Sequence, residues 1–261
     1  MNVLLIDIGN TRIKWARFDG KRVGRQHAAV HSGWGGEDYA RRVIGSGRAA
    51  LDRILVVSVA GPRANRSLTL GARRARAPAP EFVVSQRRAG GVTSGYLEPW
   101  RLGVDRFVAA IGAHHLAKGK AVCVVGVGTA MTIDLVDARG GHRGGAIIPA
   151  PTLMVDSLLN NTDGIRRRAQ GGARGGSSLF GRSTRAAIMQ GSRYAAAALI
   201  DRAVGEARAL VPGRAPLVML TGGGAASIQP LVQSTCVSVP DLVLRGLAVL
   251  CAEPAHPPAA A

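Results

Sequence analysis

Apolar positions along the chain fall into short dense runs, separated by glycine, proline and polar clusters. Residues 3–8 (Val-Leu-Leu-Ile-Asp-Ile) are almost uninterrupted, the pattern of a strand buried on both faces. Gly9-Asn10-Thr11 follows as a turn. Ile13, Trp15 and Phe18 then carry the chain to Asp19-Gly20, so the start reads strand, tight turn, strand, turn, strand. Further strands are predicted over residues 53–60, 81–85, 121–127, 131–136, 145–148, 216–221 and 236–239. Helices are predicted over 39–50, 63–76, 152–160, 184–209, 225–233 and 241–252. Another begins near Val104, where Phe107, Val108, Ile111 and His115 share a helical spacing. The Pro/Ala-rich stretch 254–261 is expected to be a disordered tail.

One internal echo organises this order. Ile6-Asp7-Ile8-Gly9-Asn10-Thr11 aligns with Val125-Gly126-Val127-Gly128-Thr129-Ala130. Each follows an apolar strand and leads into a second strand that ends at a polar turn, Asp19-Gly20 in one copy and Asp137 to Gly141 in the other. Glycine turns are common, but the matching downstream order favours duplication over coincidence. The expectation is two similar α/β lobes facing a cleft, 1–118 and 119–253.

Both loops have the make-up of a phosphate site. Glycine lets main-chain N–H groups approach phosphate oxygens, and a neighbouring Asn or Thr adds a side-chain hydrogen bond. Asp7 is a candidate magnesium ligand, directly or through water. Lys14, on the returning strand, could neutralise charge on a phosphoryl group. The Gly-x-x-x-x-Gly-Lys-Ser/Thr loop and the protein-kinase motif set are both absent.

Charge changes the picture only modestly. The net charge of +18, from 34 Lys+Arg against 16 Asp+Glu, favours anionic partners. Two basic clusters stand out, Arg73-Arg74 with Arg76, and Arg166-Arg167-Arg168. Neither is interleaved with aromatics, which form 4% of the chain, so a stacking platform for nucleic acid is not predicted. Cys123, Cys236 and Cys251 are far apart and read as reduced thiols of a cytoplasmic protein. The N-terminus lacks a basic flank, so it reads as a strand and not a signal peptide, and no apolar run is long enough for a membrane span.

Asp7-Ile8-Gly9-Asn10-Thr11 with Lys14, then Gly103-Val104-Asp105-Arg106, then Gly128-Thr129-Ala130-Met131-Thr132-Ile133-Asp134, strongly resemble the type III pantothenate kinases. The resemblance extends through Gly144 to Pro149, Gly181-Arg182-Ser183-Thr184 and Thr221-Gly222-Gly223, to about Leu250. It implies duplicated actin-like, ribonuclease H-like lobes of the acetate kinase/hexokinase/actin superfamily, with mixed sheets flanked by helices. It also implies ATP-dependent phosphorylation of pantothenate to 4'-phosphopantothenate, the first step of coenzyme A biosynthesis, by a homodimer using Mg²⁺.

By the same resemblance, Asp105 is the general base. Arg106, the main chain of Gly103-Val104 and Tyr96 bind pantothenate, and Thr184 reaches the substrate from a partner subunit. Asp7, Ile8, Gly9, Asn10, Thr11, Arg12, Ile13, Lys14 and Thr129 hold ATP phosphates, and Thr221, Gly222 and Gly223 lie near the adenosine. Many family members bind a monovalent cation, K⁺ or NH₄⁺, through an aspartate that is Gly126 here. Activation by potassium is therefore expected to be weak or absent, or to use a site rebuilt from main-chain carbonyls. Alanine in Pro149-Ala150, where glycine is common, is expected to alter that turn slightly.

On residue type alone plainer readings stay open. Asp105-Arg106 could be a helix-start acid beside a solvated arginine, Tyr96 a boundary tyrosine, Thr184 a helix N-cap, and Lys14 an exposed strand lysine. Trp15, Trp34 and Trp100 read as packing residues. The rival functions are another small-molecule kinase of the superfamily and a basic nucleic-acid-binding regulatory protein that has kept the fold.

Overall fold

The computed structural model describes residues 1–45, 50–170, 178–211, 213 and 215–252, in two compact units. The predicted tail at 254–261 lies outside the described residues.

The first unit opens with β1 (Val3–Ile8), β2 (Arg12–Phe18) and β3 (His27–Val30), an antiparallel meander. A short helix α1 (Gly36–Tyr39) runs into a wider turn over Ala40–Ile44. This segment starts earlier than the helix expected at 39–50, and residues 46–49 lie outside the described set. Then come β4 (Arg53–Ser58), α2 (Pro62–Arg74) and β5 (Pro80–Phe82). A small hairpin, β6 (Arg88–Ala89) with β7 (Val92–Thr93), precedes α3 (Val104–Ala117). The sheet order is β3-β2-β1-β4-β5, with β4 parallel to both β1 and β5. Its core is Leu4, Ile6, Ile8, Ile13, Trp15, Val56 and Leu68, closed by Tyr39 and Val43.

The second unit repeats the plan. β8 (Val122–Val127), β9 (Ala130–Val136) and β10 (His142–Pro149) form its meander. Then follow α4 (Pro151–Asn161), α5 (Asp163–Arg168), α6 (Thr184–Leu210), β11 (Leu217–Thr221), α7 (Ala225–Ile228) and β12 (Cys236–Ser238). The order is β10-β9-β8-β11-β12, the same as in the first unit, with β11 parallel to β8 and β12. Its core joins Val125, Val127, Met131 and Leu220 to Ala196, Ile200 and Val204 of α6.

The last helix, α8 (Leu242–Ala252), belongs with the first unit and not with 119–253 as the sequence suggested. It packs on α3 through two glycines. A Cβ on Gly112 would lie 2.5 Å from the Leu242 carbonyl oxygen, and one on Gly246 would overlap the Val108 carbonyl. Close approach at this crossing therefore requires both residues to be glycine.

Smaller features also find physical reasons. Arg73-Arg74 end α2 and Arg166-Arg167-Arg168 end α5, where positive charge opposes the helix dipole. Trp15 and Trp34 pack as expected, but Trp100 is 69% exposed. Ala150 has an extended backbone with φ −70°, so nothing at that turn demands glycine. The three cysteines are free thiols, and burial pushes that of Cys123 up to about 11. Among the described residues no helix is long and apolar enough to cross a membrane.

Candidate active site

Asp7 is the fifth residue of β1 and sits opposite Lys14 of β2 in the hairpin register. The pairing puts both side chains on one face, with Lys14 Nζ 3.7 Å from Asp7 Oδ2. Asp7 is 7% exposed, and Lys14 is largely covered, not an exposed strand lysine. Burial pushes the Asp7 carboxyl from its ordinary 3.8 up to about 6. The charge and hydrogen bond of Lys14 oppose that rise, and the negative charge of Asp105 adds to it. The structure thus brings Asp7, Lys14 and Asp105 into one electrostatic neighbourhood.

The loop after Asp7 is closed by a bond from Gly9 N–H to the Arg12 carbonyl, 3.0 Å. Asn10, Thr11 and Arg12 are exposed on it. Ile8 and Ile13 are fully buried, so their side chains serve the core and only their main chain could face a ligand.

Asp105 stands in the first turn of α3 and Gly103 is the N-cap. A Cβ on Gly103 would lie 2.8 Å from Asp105 Oδ1, so glycine leaves that carboxylate its room. Oδ1 accepts the Arg106 N–H at 2.9 Å. Val104 is the first helical residue. Arg106 is 7% exposed, an unusual burial for a guanidinium. Its Nη1 donates to Tyr96 Oη at 2.9 Å, and its Cζ lies 5.6 Å from the Tyr96 ring centre. The plain reading of a solvated arginine does not describe Arg106, while Tyr96 is half-buried with its hydroxyl on Arg106, as a boundary tyrosine would be.

Tyr96 is held by a residue that sequence reasoning missed. Arg87 donates through Nη1 to the carbonyls of Ser94 (3.2 Å) and Tyr96 (2.9 Å), and through Nη2 to that of Leu97 (2.9 Å). No spacing or motif signals this clamp, because it is a contact between a side chain and a loop main chain.

In the second unit Thr129 is exposed on the β8–β9 loop, where Gly128 N–H bonds the Ala130 carbonyl at 2.9 Å. The paired residues flanking the loops are Ile8 with Ile13 and Val127 with Met131. The first loop is therefore one residue longer, and the expected gapless alignment shifts: Thr11 corresponds to Thr129, and Asn10 is the extra residue. Gly126 pairs with Thr132, and a Cβ at Gly126 would lie 2.9 Å from Thr132 Oγ1. The space an aspartate would enter is taken by a hydroxyl.

Thr221 closes β11 and its Oγ1 donates to the Pro240 carbonyl at 3.4 Å. Gly222 has φ +94°, and a Cβ there would overlap the Val127 carbonyl, so the Thr221–Gly223 turn lies directly on the end of β8. Thr184 is the first residue of α6, whose N-cap is Ser183, accepting the Ala186 N–H at 3.1 Å. Thr184 is not the cap.

Residues 3–206 match the type III pantothenate kinase family. A type III pantothenate kinase of Nitrosococcus oceani is 35% identical over 253 residues, covering 94% of this chain and 92% of its own. One of Stenotrophomonas maltophilia is 38% identical over 249 residues, covering 95% and 96%. Among solved structures, a ROK family glucokinase from Streptomyces griseus, in complex with glucose and AMPPNP, superposes with a TM-score of 0.51 at 12% identity, covering 95% of this chain and 98% of its own. At that identity the likeness concerns the fold alone.

Proposed function

The chain belongs to the type III pantothenate kinase family, an ATP-dependent activity of coenzyme A biosynthesis, and from that premise we propose how its residues divide the reaction. The primary hydroxyl oxygen of pantothenate attacks the terminal phosphorus of ATP. As that bond forms, the bond from phosphorus to the bridging oxygen breaks, leaving ADP and 4'-phosphopantothenate. Asp105 accepts the hydroxyl proton. Arg106, positioned by Tyr96, supplies positive charge to the anionic substrate, and the Gly103-Val104 main chain completes its binding. Lys14, Arg12 and the main chain from Ile8 to Ile13 meet the phosphates of ATP. Thr129 and Thr221-Gly222-Gly223 are the ATP-binding residues of the second unit.

The family uses a divalent metal, and we assign Mg²⁺ to Asp7. The fit rests on the Asp7 carboxyl itself, which burial holds up to about 6 and which a nearby dication would restore to the ionised form. When bound, the ion would neutralise charge on the phosphate oxygens. A monovalent-cation carboxylate has no counterpart at Gly126, so we expect no potassium requirement.

We read the active form as a homodimer in the cytoplasm. The support for the dimer is exposed apolar surface on the second unit. No residue of α4 is buried, and Ile147 and Phe180 are 60% and 82% exposed. Helix α4 packs on α6, whose first residue is Thr184, so a second copy covering α4 is the arrangement that the dimer reading needs to bring Thr184 to the partner's substrate.

The observation that carries the assignment is the coupling of Asp7, Lys14 and Asp105 within one unit. The test is ADP release measured with pantothenate, without it, and with a panel of other small hydroxylated substrates. Release that depends on pantothenate is expected. Release that responds to another substrate instead would replace the assignment with a different kinase of the superfamily.

A further inference from the structure

One buried side chain in the first unit touches the first loop from behind and takes part in none of the steps above. His31 follows directly on β3 and is 8% exposed. Its Nε2 lies 2.7 Å from the carbonyl oxygen of Gly9. A carbonyl can only accept, so Nε2 carries the proton and donates it. On the other side of the ring, Nδ1 faces Tyr39 Oη at 3.3 Å, and Tyr39 is itself 1% exposed. Trp34 packs edge-on against both rings. The His31 main-chain N–H reaches the Thr11 carbonyl at 3.4 Å. The loop is thus held at Gly9 by the ring and at Thr11 by the main chain.

The ring contact fixes a direction. In a trans peptide the C=O and the N–H of one unit point opposite ways, and no peptide described here is cis. With the Gly9 carbonyl turned inward to His31, the Asn10 N–H is turned outward, to the exposed side of the loop. The second unit supplies an internal control. There Ala150 N–H donates to the Thr129 carbonyl at 3.2 Å, the same main-chain tether as His31 to Thr11. Position 31 therefore corresponds to position 150, where alanine has no group to reach a carbonyl. The second loop also lacks the extra residue Asn10. The extra peptide and the side chain that orients it occur together, in the same unit.

We propose that His31 is a positioning residue for the nucleotide: it sets the Gly9–Asn10 peptide so that the Asn10 N–H is aimed in advance at a phosphate oxygen of ATP. This rests on the reading of the Asp7–Lys14 hairpin as the phosphate arm. A donor fixed before binding costs no reordering when the phosphate arrives, which is where such a contact gains its value.

The test compares wild type with His31→Ala, His31→Gln, Tyr39→Phe and Lys14→Ala, measuring both KM values, kcat and Tm. His31→Ala is expected to raise the KM for ATP about tenfold while leaving that for pantothenate within about twofold. His31→Gln can present an amide N–H where Nε2 stood, and should restore most of the ATP affinity. Tyr39→Phe loosens the ring without removing its donor, and should raise the ATP KM about twofold. If His31→Ala does not fold, the Gln and Phe variants carry the test: Tyr39→Phe must raise the KM for ATP alone, and His31→Gln must keep both KM values near those of the wild type. A lowered Tm and active fraction with both KM values unchanged would mean a purely structural role and would overturn the proposal. So would an equal rise in both KM values. If Lys14→Ala leaves the ATP KM and kcat unchanged, the premise about the arm fails, separately from anything His31 does.

Discussion

The two units share a strand order but not a chemistry. In each, an antiparallel meander carries a glycine loop between its first two strands, and the main chain after the third strand ties that loop down. The paired residues just before the loops diverge. In the first unit they are Asp7 and Lys14, and in the second Gly126 and Thr132. Behind the loops stand His31 and Ala150. Topology was duplicated, while the buried acid–lysine pair beside the loop occurs in one copy only; the second unit places its buried acids farther along the meander, Asp134 against His142 and Asp137 in the turn. That asymmetry follows from cost, since an ionised group in an apolar sheet is unfavourable unless a ligand or partner repays it. The second loop can present polar donors without a buried charge.

If the charged unit carries the chemistry, its acids should dominate the mutational response. Asp105→Asn removes the proton acceptor and keeps the shape. Turnover is expected to fall about a thousandfold with ATP binding intact, as read by coupled ADP release and nucleotide titration. Turnover near wild type would remove Asp105 from the role of base.

Asp7→Asn should lose turnover about a hundredfold, as expected when a metal-ligating carboxylate is removed. The same change should stabilise the fold at neutral pH. The folded carboxyl titrates near 6, above its ordinary 3.8, so between those values the folded chain holds a proton that the unfolded chain releases. The contribution of Asp7 to stability therefore falls as pH rises from about 4 to about 6 and stays low above that. Removing the charge recovers up to about 3 kcal/mol, less whatever the Lys14 contact loses. A lower Tm for this variant at neutral pH would show that Asp7 is not strained by burial.

The same carboxyl sets a pH dependence for the wild type. With pantothenate saturating, kcat/KM for ATP should fall as pH drops through about 6, approaching tenfold per unit as Asp7 protonates. Asp7→Asn should flatten that limb. A limb that persists in the variant would assign it to another group.

Much of this was legible in the chain because it depends on local pattern. The runs at Val3–Ile8 and Val122–Val127 are buried on both faces and have no alternative as surface elements. The start of α3 at Val104 is marked by the spacing of Phe107, Val108 and Ile111. Asp7 and Lys14 were legible as separate candidates from the make-up of the loop, but their pairing was not, because the register depends on the length of the loop between them. What escaped depends on contacts between distant segments. The return of α8 to the first unit turns on Gly112 and Gly246, whose role exists only at the crossing they permit. His31 lies 22 residues from Gly9 and sits alone at a strand end, with no periodicity or motif to single it out. Arg87 binds three main-chain carbonyls, and main chain carries no sequence signal.

The smallest expected effect tests the second loop, which has no acid at Gly126. Wild-type rates in potassium and in sodium should agree within about twofold, because Gly126 offers no carboxylate and unit charges matter most when desolvated and close. Gly126→Asp alone should not create a cation site, since its Cβ would meet Thr132 Oγ1 at 2.9 Å and the hydroxyl must move. The cost should appear as about 1–2 kcal/mol of lost stability. Combining it with Thr132→Ala clears the space, and the double variant should gain a potassium response of a few-fold at most, about 1 kcal/mol. A several-fold potassium activation of the wild type would break the comparison outright. The second loop would then hold a cation through main-chain carbonyls, and the absence of a buried acid there would not mean an absence of charge.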